Sequence, residues 1–147
     1  SNGNANRLLV FRLGGGAVPI PADLPPLEPA SEPPAQFADA TPAMIAQGAA
    51  LFTENCSLCH SNQPRAPLPD LRRMNAGVHA GFNQIVLEGL LVPRGMPRWN
   101  DRLNADQVKA IHAFLIDAQA TVRRRELELQ RRGLPLDTQS LTILSNF

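Results

Sequence analysis

The only two cysteines of the chain stand three residues apart and are followed at once by a histidine, as Cys56-Ser57-Leu58-Cys59-His60. Two thiols at that spacing, at the end of a helix, can reach the two vinyl groups on one edge of a porphyrin. The adjacent imidazole then lies under the iron, so the pattern is that of covalent c-type haem attachment with His60 as the proximal ligand. Other uses of the two thiols each lack something. A thioredoxin-type dithiol opens a helix after a strand, whereas this pair closes a helical pattern. A structural zinc needs a fourth ligand, and the remaining His79 and His112 have no paired spacing. A disulfide across two intervening residues is strained and closes almost no loop.

A thioether opposite the histidine would close the sixth position and suit electron transfer. The chain has three methionines. Met44 falls on the apolar face of the first helical pattern and reads as core. Met74 lies fourteen residues after His60 and would need an unusual loop to swing round to the far side of a ring. Met96, in Gly95-Met96-Pro97, lies 96−60=36 residues downstream, where glycine permits close backbone approach and proline fixes the chain beside the ligand. His79 and His112 read as surface or helix-flank residues. Trp99 is placed to donate its indole N–H to a haem propionate, or else to fill core. Arg94 and Arg98 flank the same loop and could pair with propionates. The second ring nitrogen of His60 needs a fixed acceptor; the carbonyl of Pro69 is the candidate, which sets Leu71 against the porphyrin.

These residues need elements to hold them. Thr41 and Pro42 form an N-cap and N1 pair, and Met44, Ile45, Gly48, Leu51 and Phe52 recur at helical spacing up to the cysteines. Residues 61–75 carry Pro64, Pro67 and Pro69 and read as loop, with one helical turn at Leu71 to Met74. A short helix fits Val78 to Glu88, ended by Gly89. Asn104, with Gln107 at N3, caps a long helix with Val108, Ile111, Leu115 and Ala118 on one face, which Gly133 and Pro135 end. The expected class is all-α. Eight of the fourteen prolines lie between Pro19 and Pro42, so that stretch reads as a semi-rigid linker and the packed core begins near residue 40.

Aromatic content is 5%, with one Trp and no Tyr, which is thin unless a flat apolar cofactor supplies area. Fourteen basic and thirteen acidic side chains give a formal charge of +1, and no overall field points to nucleic acid or an anionic membrane. Arg123, Arg124, Arg125, Arg131 and Arg132, interleaved with Glu126 and Glu128, read as a solvated helix face. No run of eighteen apolar residues occurs that would span a membrane. Leu8 to Leu13 is a strand-like apolar run closed by Gly14 to Gly16 that has no partner strand, as expected of a segment cut from a longer unit.

From about Ala43 to Ala118 the chain resembles a class I cytochrome c domain, through Gly48-Ala49-Ala50-Leu51-Phe52, the cysteine motif, Pro69-Asp70-Leu71, Gly95-Met96-Pro97 and the last helix. The resemblance implies the class I cytochrome c fold, three to five helices around one haem c. Arg7 to Gly15 and the proline-rich stretch are similar to the join in quinohaemoprotein, pyrroloquinoline quinone (PQQ)-dependent alcohol dehydrogenases, where the last strand of a β-propeller leads into a C-terminal cytochrome domain. What that implies is a division into 1–16, the end of a propeller; 17–41, a linker; 42–120, the cytochrome domain; and 121–147, a helical extension and tail. PQQ and calcium would belong to the propeller. The chain itself would hold no catalytic site and would pass electrons from reduced quinone to an external acceptor, a small copper protein, a cytochrome or the quinone pool, in a bacterial periplasm. A freely diffusing cytochrome shuttle, or the haem subunit of another oxidoreductase, shares the haem features and needs neither the strand nor the linker.

Overall fold

The structure, a computed structural model, describes residues 10–17, 25–38, 40–60 and 68–136. Three α-helices carry it: α1 over Pro42–Asn55, α2 over Ala76–Ala80 and α3 over Ala105–Arg131. Between them run a 3₁₀ turn at Leu71–Arg73, a π-helical stretch at Gln84–Glu88 and a second 3₁₀ turn at Val92–Arg94. No strand occurs among the described residues, in line with the all-α expectation. Leu8 and Leu9 of the strand-like run lie outside the described residues, and Val10, Phe11 and Leu13 are exposed.

Local chemistry explains the helix ends. The Thr41 hydroxyl accepts from the Met44 N–H at 3.2 Å, with Pro42 at N1. In front of α3 the Asn104 side chain accepts from the Gln107 N–H at 2.9 Å, and the Gln107 side chain accepts from the Asn104 N–H at 3.0 Å. This reciprocal box satisfies two backbone donors that the first helical turn leaves free. The helical stretch expected over 78–88 begins earlier, at Ala76 behind an Asn75 cap, and passes through a turn at Gly81. It ends as expected at Gly89, in the left-handed region at φ 79°.

α1 and α3 cross at Gly48, where the helices approach so closely that a Cβ on Gly48 would lie 2.0 Å from the Ala110 carbonyl oxygen. One turn further along, the Phe52 and Phe114 rings meet with centroids 5.6 Å apart. Around this crossing Met74, Phe82, Ile85, Val86, Leu103, Val108, Ile111 and Leu115 close the core. Met44, expected in it, is only half-buried and lies outside this cluster, because the apolar stripe of α1 faces α3 through Gly48 and Phe52 instead.

The packing does not break at the expected boundaries of residues 41 and 120. Helix α3 continues to Arg131 with Val122, Glu126 and Leu129 buried. Part of the proline-rich stretch is docked on it, with Ala30 only 2% exposed. The arginine run is therefore not wholly a solvated face: Arg123 donates to the Ala30 carbonyl at 2.6 Å, and Glu126, fully buried, pairs with Arg73.

Candidate functional site

Helix α1 ends at the cysteines. The Cys56 N–H closes on the Phe52 carbonyl at 2.8 Å, and the chain then turns so that the Cys59 and His60 N–H groups both point at the Cys56 carbonyl, at 3.1 and 2.9 Å. That turn brings two free thiols and an imidazole into consecutive positions at a helix end. Burial pushes the Cys56 thiol up to about 11, with the neighbouring Cys59 adding to the rise. A dithiol that works by exchange relies on a depressed pKa and a thiolate, the opposite of the direction at Cys56.

The His60 ring is held from behind. Its Nδ1 lies 3.0 Å from the Pro69 carbonyl oxygen. The carbonyl can only accept, so Nδ1 carries the proton and Nε2 keeps its lone pair for a metal. Pro69 is itself set by the next residue: Asp70, buried, caps the turn at Leu71–Arg73 by accepting from the Arg72 N–H and is gripped by the Arg72 guanidinium at 3.0 and 2.8 Å. Leu71 packs half-buried against the core.

On the other loop, Met96 is half-buried and packs on the same core, its N–H 3.3 Å from the Leu91 carbonyl. Gly95 adopts φ 90°, and a Cβ there would meet nothing within 4 Å. The left-handed turn by itself calls for glycine at this position. Trp99 packs half-buried on the core and ties the loop down through its backbone N–H, which donates to the Val86 carbonyl at 2.9 Å. Arg94 and Arg98 are exposed. Met74 is 4% exposed within the core cluster.

The donor set fits a covalently bound haem. Two thiols and an oriented imidazole are contiguous, and the motif and flanking loops carry large apolar side chains to the surface: Leu58, 97% exposed, with Leu68, Leu90 and Val92.

Two residues read as surface histidines are buried instead. His79 and His112 are each 4% exposed. His79 Nδ1 lies 2.9 Å from His112 Nε2, and His79 Nε2 lies 3.1 Å from Gln119 Oε1. The Gln119 amide nitrogen donates to the Met74 and Ser31 carbonyls, both at 3.0 Å, so Oε1 is its acceptor end. The proton order follows: His79 Nε2–H donates to Gln119, and His112 Nε2–H donates to His79 Nδ1. Both rings are neutral. Phe82 stacks on His112 at 4.2 Å. Burial lowers the His112 pKa to about 4, with His79 adding to the fall, and burial also lowers that of His79. Among the described residues no group of three His, Cys, Asp or Glu side chains is arranged to hold a metal. A signal for this network exists in the sequence: His112, Gln119 and Glu126 recur every seven residues on the apolar face of α3, in register with Val108, Leu115, Val122 and Leu129.

A model of the family described as cytochrome C oxidase, cbb3-type, subunit III matches residues 43–115. The chain is 36% identical over 121 residues, 79% of its length, to quinohemoprotein alcohol dehydrogenase ADH IIB of Pseudomonas putida. To the 1-butanol dehydrogenase (cytochrome c) of Thauera butanivorans it is 32% identical over 91 residues, 60% of its length. Among solved structures it superposes on quinohemoprotein alcohol dehydrogenase ADHIIG from Pseudomonas putida HK5 with a TM-score of 0.60 at 30% identity, covering 90% of this chain. The match spans 17%, 13% and 17% of those proteins, so the chain corresponds to under a fifth of each.

Proposed function

Because this chain belongs to the cytochrome c family and is homologous to the haem domains of quinohaemoprotein alcohol dehydrogenases, we propose that it carries electrons through one covalently attached haem c. In this reading Cys56 and Cys59 form the two thioethers, His60 Nε2 is the proximal ligand and Met96 the distal one. Leu71 and Trp99 line the ring, and Arg94 faces a propionate. Bound haem supplies a one-electron iron couple; everything else is the work of the chain. The Pro69 carbonyl holds the His60 ring in one tautomer and one orientation, which limits reorganisation at the iron. A thioether opposite imidazole favours the reduced state and raises the potential. Were His60 and Met96 both to hold the iron, no open position would remain for oxygen or peroxide to react.

The reading extends to the longer protein. The donor is a quinol form of PQQ in a preceding propeller, held with calcium there, with residues 1–16 as the end of that propeller. The acceptor is external, a small copper protein, a cytochrome or the quinone pool, and the compartment is the periplasm, where haem of this kind is attached. No helix among the described residues is long and apolar enough to cross a membrane. The observation that carries the reading is the His60 Nδ1 to Pro69 contact of 3.0 Å directly behind two free thiols. Carbon monoxide tests it. The reduced haem-loaded protein should be reversibly oxidised and reduced with no carbon monoxide adduct; rapid adduct formation would show an open axial position and a catalytic haem.

A further inference from the structure

We propose that the C-terminal half of α3 is a clamp that reads the backbone of an extended, proline-rich segment, and that residues 28–31 are its occupant, which anchors the incoming chain at Glu28 instead of releasing it at Thr41. Four side chains reach the segment, and each takes a main-chain group. Glu126 Oε2 accepts from the Ala30 N–H at 2.7 Å, and Arg123 donates to the Ala30 carbonyl at 2.6 Å. Gln119 donates to the Ser31 carbonyl at 3.0 Å, and Arg73 to the Glu28 carbonyl at 2.9 Å. One carboxylate for one N–H and three donors for three carbonyls suit a segment where Pro29, Pro33 and Pro34 have no N–H to give. The receptor is built and buried: Glu126 and Gln119 are fully buried, and Ala30 is 2% exposed. Gln119, Arg123 and Glu126 sit four and three residues apart, on one face of α3.

A second latch closes the far end. Phe37 stands at φ 62°, a conformation a bulky side chain adopts only when its surroundings impose it. Its ring meets the His112 ring edge-on at 5.4 Å, with the Lys109 ammonium 5.6 Å from its centroid. The two latches share one network, since His79 turns the Gln119 amide so that its nitrogen faces Ser31 and Met74. His79, His112 and Gln119 are positioning residues for the clamp. If a further unit precedes residue 28, as the reading above holds, docking removes residues 28–41 from the free tether and shortens its extended reach by roughly 50 Å.

Amide hydrogen exchange on the haem-loaded full chain tests the clamp, and it reads the segment and not the haem, so either reading can fail alone. In the unaltered chain the Ala30 amide should exchange about 100-fold more slowly than the exposed amides of Phe11 and Arg12. Ala30→Pro deletes the one N–H the clamp reads and leaves α3 untouched; amides of residues 31–38 should then exchange at least about tenfold faster. Glu126→Gln should do the same from the receptor side. Glu28→Ala, which alters an exposed side chain the clamp does not read, should change nothing. Exchange of Ala30 as fast as Phe11, slow exchange of 31–38 in Ala30→Pro, or equal release by Glu28→Ala overturns the proposal. Should Glu126→Gln fail to fold, Ala30→Pro decides.

Discussion

Replacing Gly48 by alanine should destabilise the protein, although alanine is the better helix former. Helix propensity alone favours the change by about 1 kcal/mol. Against it stands geometry: the new Cβ would lie 2.0 Å from the Ala110 carbonyl oxygen, 2.6 Å from its carbon and 2.9 Å from the Phe114 Cβ. The first two are backbone, so no rotamer change relieves them, and α1 must move off α3 by over an ångström. That movement also loosens the Phe52–Phe114 contact at 5.6 Å. Overpacking costs about 1–3 kcal/mol and more where the neighbour cannot yield; taking about 4 kcal/mol here, the net loss is about 3 kcal/mol. For a chain of this size that lowers the melting temperature by about 6–12 °C. Thermal unfolding of the haem-loaded variant measures it. Gly77→Ala in α2 is the matched control, since its Cβ would meet only the Asn75 side chain, at 3.4 Å, and it should be neutral or gain up to about 1 kcal/mol. Equal or greater stability of Gly48→Ala would refute the account of how α1, and with it Cys56, is held.

Acid should weaken the fold through the buried histidine pair. Both folded pKa values lie below the ordinary one, so the unfolded chain binds more protons and stability falls as pH drops from about 6.5 towards 4, by on the order of 3 kcal/mol for His112; His112→Phe should flatten urea unfolding curves across that window. Met96→Ala should lower the reduction potential and abolish the weak long-wavelength band of sulfur-ligated ferric haem, and persistence of the band would point to another sulfur ligand. Asn104→Ala should cost about 1 kcal/mol in urea denaturation by opening the capping box of α3. Deleting residues 1–27 should leave stability unchanged, whereas deleting 1–38 should remove about 3 kcal/mol, because Glu126 and Arg123 lose partners; equal stability of the two would contradict the docked segment.

What could be read from residues alone was local. Thr41 with Pro42, Asn104 with Gln107, and Gly89 and Gly133 mark helix ends through contacts within a few positions, so their meaning is carried by neighbours in the chain. The Pro69 carbonyl behind His60 was legible for the same reason, nine residues apart. Contacts across long separations were not. Glu126 hides in an arginine run because its cationic partner is Arg73, 53 positions away. A proline-rich segment has the composition of a spacer, and only the hydrogen-bonding side chains on α3, 88 to 96 positions away, turn it into a docked one. His79 and His112 look like surface residues until the other ring and Gln119 supply each buried nitrogen with a partner. At Gly95 the left-handed backbone, φ 90°, adds a reason for glycine that the residue order alone did not show.

The functional claim is that this chain carries haem through Cys56 and Cys59 with His60 beneath the iron. Intact-mass analysis of protein matured in a cell that attaches haem c, followed by digestion, tests it directly. The account predicts a mass increased by one haem, retained after acid acetone treatment and located on the peptide holding Cys56 to His60, with Cys56→Ser leaving a single thioether. A chain that releases its haem into acid acetone, or matures with both thiols unmodified, would contradict it.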